Sequence, residues 1–231
     1  MNRFEYPLCW RMIAAATLMV WVASFTHEFT HHLVGALVCG DVGRMSLNRF
    51  VLADPCLGPW QVATAAGPAL SYLMMWTGAA MVWRGWRPLA GFSLVVAYIP
   101  FLRLLTALAG GGDEGLLLRQ WSPDHARWIA PVVVLALVLP PLSACYRALS
   151  NRRRAAVFAA AFLLPLLPVL PVPAVDGHFL DGWLSGEALM PHAFGLPDAV
   201  WLVHGSLLLL CVVFAVPTIL RLSRSDRIRL A

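Results

Sequence analysis

The chain has 231 residues, 60% hydrophobic and 13% charged, with a mean hydropathy of +0.72 and a formal net charge of +5. A soluble domain carries roughly a quarter charged residues, so this composition excludes one and indicates a polytopic membrane protein in contact with the lipid bilayer. The basic balance does not indicate a nucleic-acid partner: every basic residue is Arg, and these cluster in segments flanking the apolar runs, where they set membrane orientation.

Apolar runs predict helices near 11–38, 60–83, 88–110, 128–146, 154–171 and 199–220, each close to the roughly 20 residues that cross a hydrocarbon layer. The expected fold is all-α, with about six transmembrane helices, three in residues 1–127 and three in 128–231, and no separate soluble domain. The first run continues past His27 without a small-residue cleavage site, so a cleavable signal peptide is not expected. Pro165, Pro168, Pro171 and Pro173 break the end of the fifth run.

Arg84 and Arg87, Arg147 and Arg152 to Arg154, and Arg221, Arg224, Arg227 and Arg229 fall on one side, together with Arg3 and Arg11. The 172–198 segment has Asp176, Asp181, Glu187 and Asp198 and no Arg. By the positive-inside rule this predicts a multi-pass protein with both termini cytoplasmic and segments 39–59, 111–127 and 172–198 facing outward.

The first run contains His27-Glu28-Phe29-Thr30-His31, an H-E-x-x-H motif. One helical turn separates the two histidines, so they share a face and can hold one Zn²⁺, with Glu28 placed to take a proton from a water that the metal activates. Glu28 is the only acidic residue inside any predicted span. A polar cluster in lipid costs several kcal/mol unless something pairs it, and a metal is the simplest partner. His32 points off this face and is expected to bond a neighbouring helix. Cys39 and Cys56 share the first outward segment, as either a disulfide or two unpaired residues.

In the second run, Ala66-Gly67-Pro68-Ala69 is expected to break the helix in its outer half and expose backbone that lines a cavity for a substrate strand. Arg103, inside the third run, is expected to pair with Asp113 or Glu114 or to snorkel to the interface. A catalytic zinc needs a third protein ligand. Asp113, in Gly110-Gly111-Gly112-Asp113-Glu114-Gly115, stands where the third span ends on the same outer side, and Glu114 is its fallback. Asp176, in the later outward segment, is the rival. His125, His178 and His192 are loop histidines that either contact substrate or a second ion or do neither.

These residues resemble the site-2-protease, or M50-type, family of intramembrane zinc metalloproteases. The resemblance covers the first three spans and rests on His-Glu-Phe-Thr-His, then Ala-Gly-Pro, then an Asp flanked by glycines. It implies a three-helix metalloprotease-like core in which His27, His31 and Asp113 bind zinc, and Glu28 activates the water that cleaves a transmembrane protein substrate. The sequence departs from the family pattern in having Ser71 and Tyr72 where an Asn is usual and no Asn-Pro before Asp113. It also places the site nearer the outer face than family members do. The alternative reading is a non-proteolytic zinc-binding membrane protein, either a pseudoprotease regulator or a transporter.

Overall fold

A computed structural model describes residues 3–172 and 192–229. It is predominantly helical. α1 (Trp10–Cys39) is followed by a short hairpin, β1 (Arg44–Met45) with β2 (Phe50–Val51), and by α2 (Trp60–Trp83). Next come α3 (Pro88–Ala97), α4 (Pro100–Leu108), α5 (Gly112–Trp121), α6 (Ala126–Ala148) and α7 (Arg154–Leu166). A second hairpin, β3 (His192–Ala193) with β4 (Leu196–Pro197), leads into α8 (Asp198–Leu210), a π turn over Cys211–Ala215, and α9 (Val216–Arg229).

Among the described residues, four helical stretches are long and apolar enough to cross a membrane: Trp10–Cys39, Pro88–Leu108, Ala126–Ala148 and Asp198–Ser223. This corrects the expectation of six. α7 has only 13 residues, short of a crossing, because the chain leaves helical structure into a turn after Leu166, among Pro165, Pro168 and Pro171. α2 has the length, at 24 residues, but Gln61, Thr64, Ser71 and Thr77 dilute its apolar character.

α1 packs along α2, which in turn packs on α3 and α6. The main core gathers around the fully buried Phe92, whose ring meets Phe4, Tyr6, Phe158 and Phe162 at centroid distances of 5.0–6.3 Å. Rings at such offset and edge-on contacts add about 0.5–1.5 kcal/mol per pair beyond their buried area. The N-terminal segment is tied to the α6–α7 connection: Phe4 N–H donates to Ala148 O, and Ser150 N–H to Phe4 O. Arg3 and the Arg147–Arg154 segment therefore lie at one end of the molecule.

At the other end of α1 the two hairpins meet. Met45 N–H donates to Gly195 O at 3.0 Å, and Met45, Leu196 and Val200 form a small second core with Phe25, Phe29 and Trp201. A disulfide between Cys39 and Cys56 closes the base of the first hairpin against the end of α1, which decides between the two readings of this pair. His32 departs from expectation: it bonds the Phe194 carbonyl of the second hairpin at 2.8 Å, not a neighbouring helix.

Candidate metal centre

α1 runs unbroken through the H-E-x-x-H motif, so His27 and His31 stack one turn apart, their rings edge to face at 4.6 Å. The third member arrives from α5. Gly110 and Gly112 have φ of 78° and 79°, a left-handed conformation that side chains disfavour. The glycine run lets the chain turn out of α4 and restart a helix at once, which puts Asp113 in the first turn of α5, facing α1. A new helix stands here where the sequence suggested an outward loop.

The three side chains converge on a point. His27 Nε2 lies 3.1 Å from Asp113 Oδ2 and 3.1 Å from His31 Nε2, and His31 Nε2 lies 3.4 Å from Asp113 Oδ2. Three ligand atoms about 2.0–2.1 Å from one tetrahedral zinc stand roughly 3.3 Å apart, so the triangle has the size of one face of that tetrahedron. Among the described residues, no other group of three His, Cys, Asp or Glu side chains converges in this way.

The surroundings complete the donor set. His31, fully buried, directs Nδ1 to the Ala63 carbonyl at 2.8 Å. A carbonyl only accepts, so the proton sits on Nδ1 and Nε2 presents its lone pair to the cluster. Phe50 of β2 stacks on the other side of the His31 ring at 4.4 Å. Around His27, Ser71 Oγ is 3.0 Å from Nδ1 and Arg103 Nη2 is 2.7 Å from it.

Among the described residues, Glu28, Asp113, Glu114 and Arg103 line one cavity.

That cavity encloses ≈ 350 Å³ beside the cluster. Glu28 stands in its wall, with Oε1 4.0 Å from His27 Nε2. Ala97, Ile99, Leu102, Val169 and Leu170 give it apolar flanks, and Asn48 reaches it from the first hairpin, held by Ser24 Oγ at 3.0 Å.

Other residues singled out by sequence fall as follows. Arg103 pairs with Glu114 at 2.9 Å and not with Asp113, and Glu114 is thereby occupied outside the ligand triangle. α2 passes through Gly67 and Pro68 without a break, and neither residue lines the cavity. Gly67 is instead a packing contact: a Cβ there would sit 2.6 Å from His31 Cδ2. His125 is remote from the cluster, bonded to Ser122 at 3.2 Å. Asp176 and His178 lie outside the described residues, and the side chain of His192 is not described. Ser71 and Tyr72, noted in sequence only as departures from a family pattern, belong to the site's support: Tyr72 Oη donates to Glu114 Oε1 at 2.6 Å.

Searches against protein-family models, curated proteins and solved structures returned no match. The class read from fold and site is therefore a helical membrane protein with a His₂Asp cluster that can hold a metal ion.

Proposed function

We propose that the protein is a zinc-dependent intramembrane endopeptidase acting on transmembrane protein substrates. The observation that carries the reading is the triangle of His27 Nε2, His31 Nε2 and Asp113 Oδ2, with sides of 3.1, 3.1 and 3.4 Å, beside a carboxylate in a cavity. A zinc ion held by His27, His31 and Asp113 would supply Lewis acidity toward a water and a scissile carbonyl. Glu28 takes the proton of the attacking water and passes it to the departing amine nitrogen. The apolar flank at Ile99, Leu102 and Leu170 receives the substrate's side chains, and the polar edge at Asn48 and Ser24 receives its backbone.

Both termini are assigned to the cytoplasm. The end carrying Arg3, Arg147 and Arg152 to Arg154 is richer in Arg than the hairpin end with Arg44 and Arg49, and the Cys39–Cys56 disulfide at the far end of α1 belongs in an oxidising compartment. The metal cluster lies in the half of α1 nearer that disulfide.

The test has two arms. Purified wild type should contain one zinc per chain, lost in His27→Ala and in Asp113→Ala; zinc retained by Asp113→Ala would move the third ligand elsewhere, Asp176 first. Profiling of membrane-protein fragments from cells expressing wild type or Glu28→Gln should show cleavage products that fall by about 10²–10⁴-fold in the variant, the usual contribution of a general base. Identical profiles with stoichiometric zinc would leave a zinc-binding protein that does not cleave.

A further inference from the structure

We propose that Arg103 is a catalytic residue: its guanidinium donates a hydrogen bond to the carbonyl oxygen of the bound substrate as negative charge gathers there. This rests on the endopeptidase reading and assigns the one part of such a site that H-E-x-x-H does not supply, a donor for the developing oxyanion.

Among the described residues that line the cavity, Arg103 carries the single permanent positive charge. Its fork is divided. Nη1 donates to Glu114 Oε1 at 2.9 Å, and Nη2 donates to Ser71 Oγ at 2.9 Å and lies 2.7 Å from His27 Nδ1. Nη2 is 3.4 Å from His27 Nε2, so the charge reaches the border of the ligand triangle itself. The Tyr72 ring lies beneath the guanidinium, at 5.5 Å from centroid to Cζ, and the Tyr72 hydroxyl anchors the same Glu114 oxygen. Three contacts from α2 and α5, to Ser71, Tyr72 and Glu114, therefore aim a side chain that in solution would be free to swing. A donor already in place costs no reorganisation when charge develops.

Stability alone does not account for the arrangement. The Arg103 and Glu114 side chains are 12% and 9% exposed, and a pair this deep can often be exchanged for apolar residues with no loss of stability. What an apolar pair cannot provide is a directed positive charge in a low-dielectric cavity, where it acts most strongly.

In the step itself, the water oxygen bonds to the scissile carbon and the carbonyl π pair moves onto its oxygen. Glu28 takes one water proton, and Arg103 donates to the oxyanion while keeping its own protons. The pair returns, the C–N bond breaks, and the amine leaves with the proton from Glu28. No other reactant is needed.

The experiment uses the full-length protein loaded with cobalt(II) and titrated with acetohydroxamate, whose anionic oxygen stands in for the oxyanion, followed by the visible spectrum of the cobalt. Arg103→Gln should bind cobalt stoichiometrically with an unchanged spectrum before titration, yet bind acetohydroxamate about 10–100-fold more weakly; Arg103→Lys, which keeps the charge, should fall between. Equal affinity in wild type and Arg103→Gln would overturn the assignment. So would loss of cobalt in both variants, which would make Arg103 a residue that only builds the site. A wild type that takes up no cobalt sinks the metal reading first, and this inference with it.

Discussion

Gly67 lies flat against the imidazole of His31, so close that a single added methyl group would meet Cδ2 at 2.6 Å. With Phe50 stacked on the ring at 4.4 Å and Ala63 O bonded to Nδ1 at 2.8 Å, His31 is held in a slot that admits one orientation. The glycine of Ala-Gly-Pro fixes a member of the His27, His31 and Asp113 cluster through this contact and does not open α2.

Gly67→Ala should therefore reduce bound zinc sharply while the helices still form. Elemental analysis beside circular dichroism in detergent checks it: native helicity with less than about a tenth of the wild-type zinc is expected, and full zinc content would show that the ring can move aside.

Zinc retention should depend on pH in one direction. Both imidazoles must be neutral to donate a lone pair, so affinity is full above the imidazole range and is lost as pH falls through it, below about 6. Competition with a zinc-sensitive dye between pH 5 and 8 measures this. Affinity constant across that range would rule out histidine ligation.

The Cys39–Cys56 bridge spans 17 positions and closes the segment that carries Phe50 to His31. Loop-closure arguments put its worth at about 3 kcal/mol for a loop of this size. The Cys39→Ser/Cys56→Ser protein should show a lowered Tm in detergent. In intact cells, a membrane-impermeant maleimide should label the pair only after reduction; labelling without reductant would place that end in a reducing compartment.

Glu114→Leu should destabilise by about 3–5 kcal/mol, because it leaves the Arg103 guanidinium buried without its counter-charge. Adding Arg103→Met in the same chain should recover most of the loss. Thermal unfolding of the two variants compares them directly, and a double variant no more stable than the single would mean that the pair is held by more than its charges.

Much of this was legible from local spacing. The membrane class follows from composition, and the facing of His27 and His31 follows from a helix of 3.6 residues per turn. The choice of Glu114 over Asp113 as the partner of Arg103 did not: both acids are adjacent, and only the restart of α5 at Gly112 turns one toward α1 and the other toward Arg103. The count of spans differs because the prolines at the end of the fifth run do not by themselves show that α7 stops at Leu166, and because an apolar run over α2 does not weigh its polar Gln61, Thr64, Ser71 and Thr77. Two-residue strands are too short to leave a period in sequence, so both hairpins went unseen.

What the sequence alone determined is what neighbours along one helix decide: a membrane-bound chain and two imidazoles on one face with a carboxylate beside them. The rest required the tertiary structure. Asp113 is 86 positions from His27, and whether two such residues meet depends on the packing of α1, α2 and α5, not on any local rule. The same packing closes Gly67 onto His31 and swings Arg103 over His27. A metal-binding motif is local, but a site is a set of long-range distances.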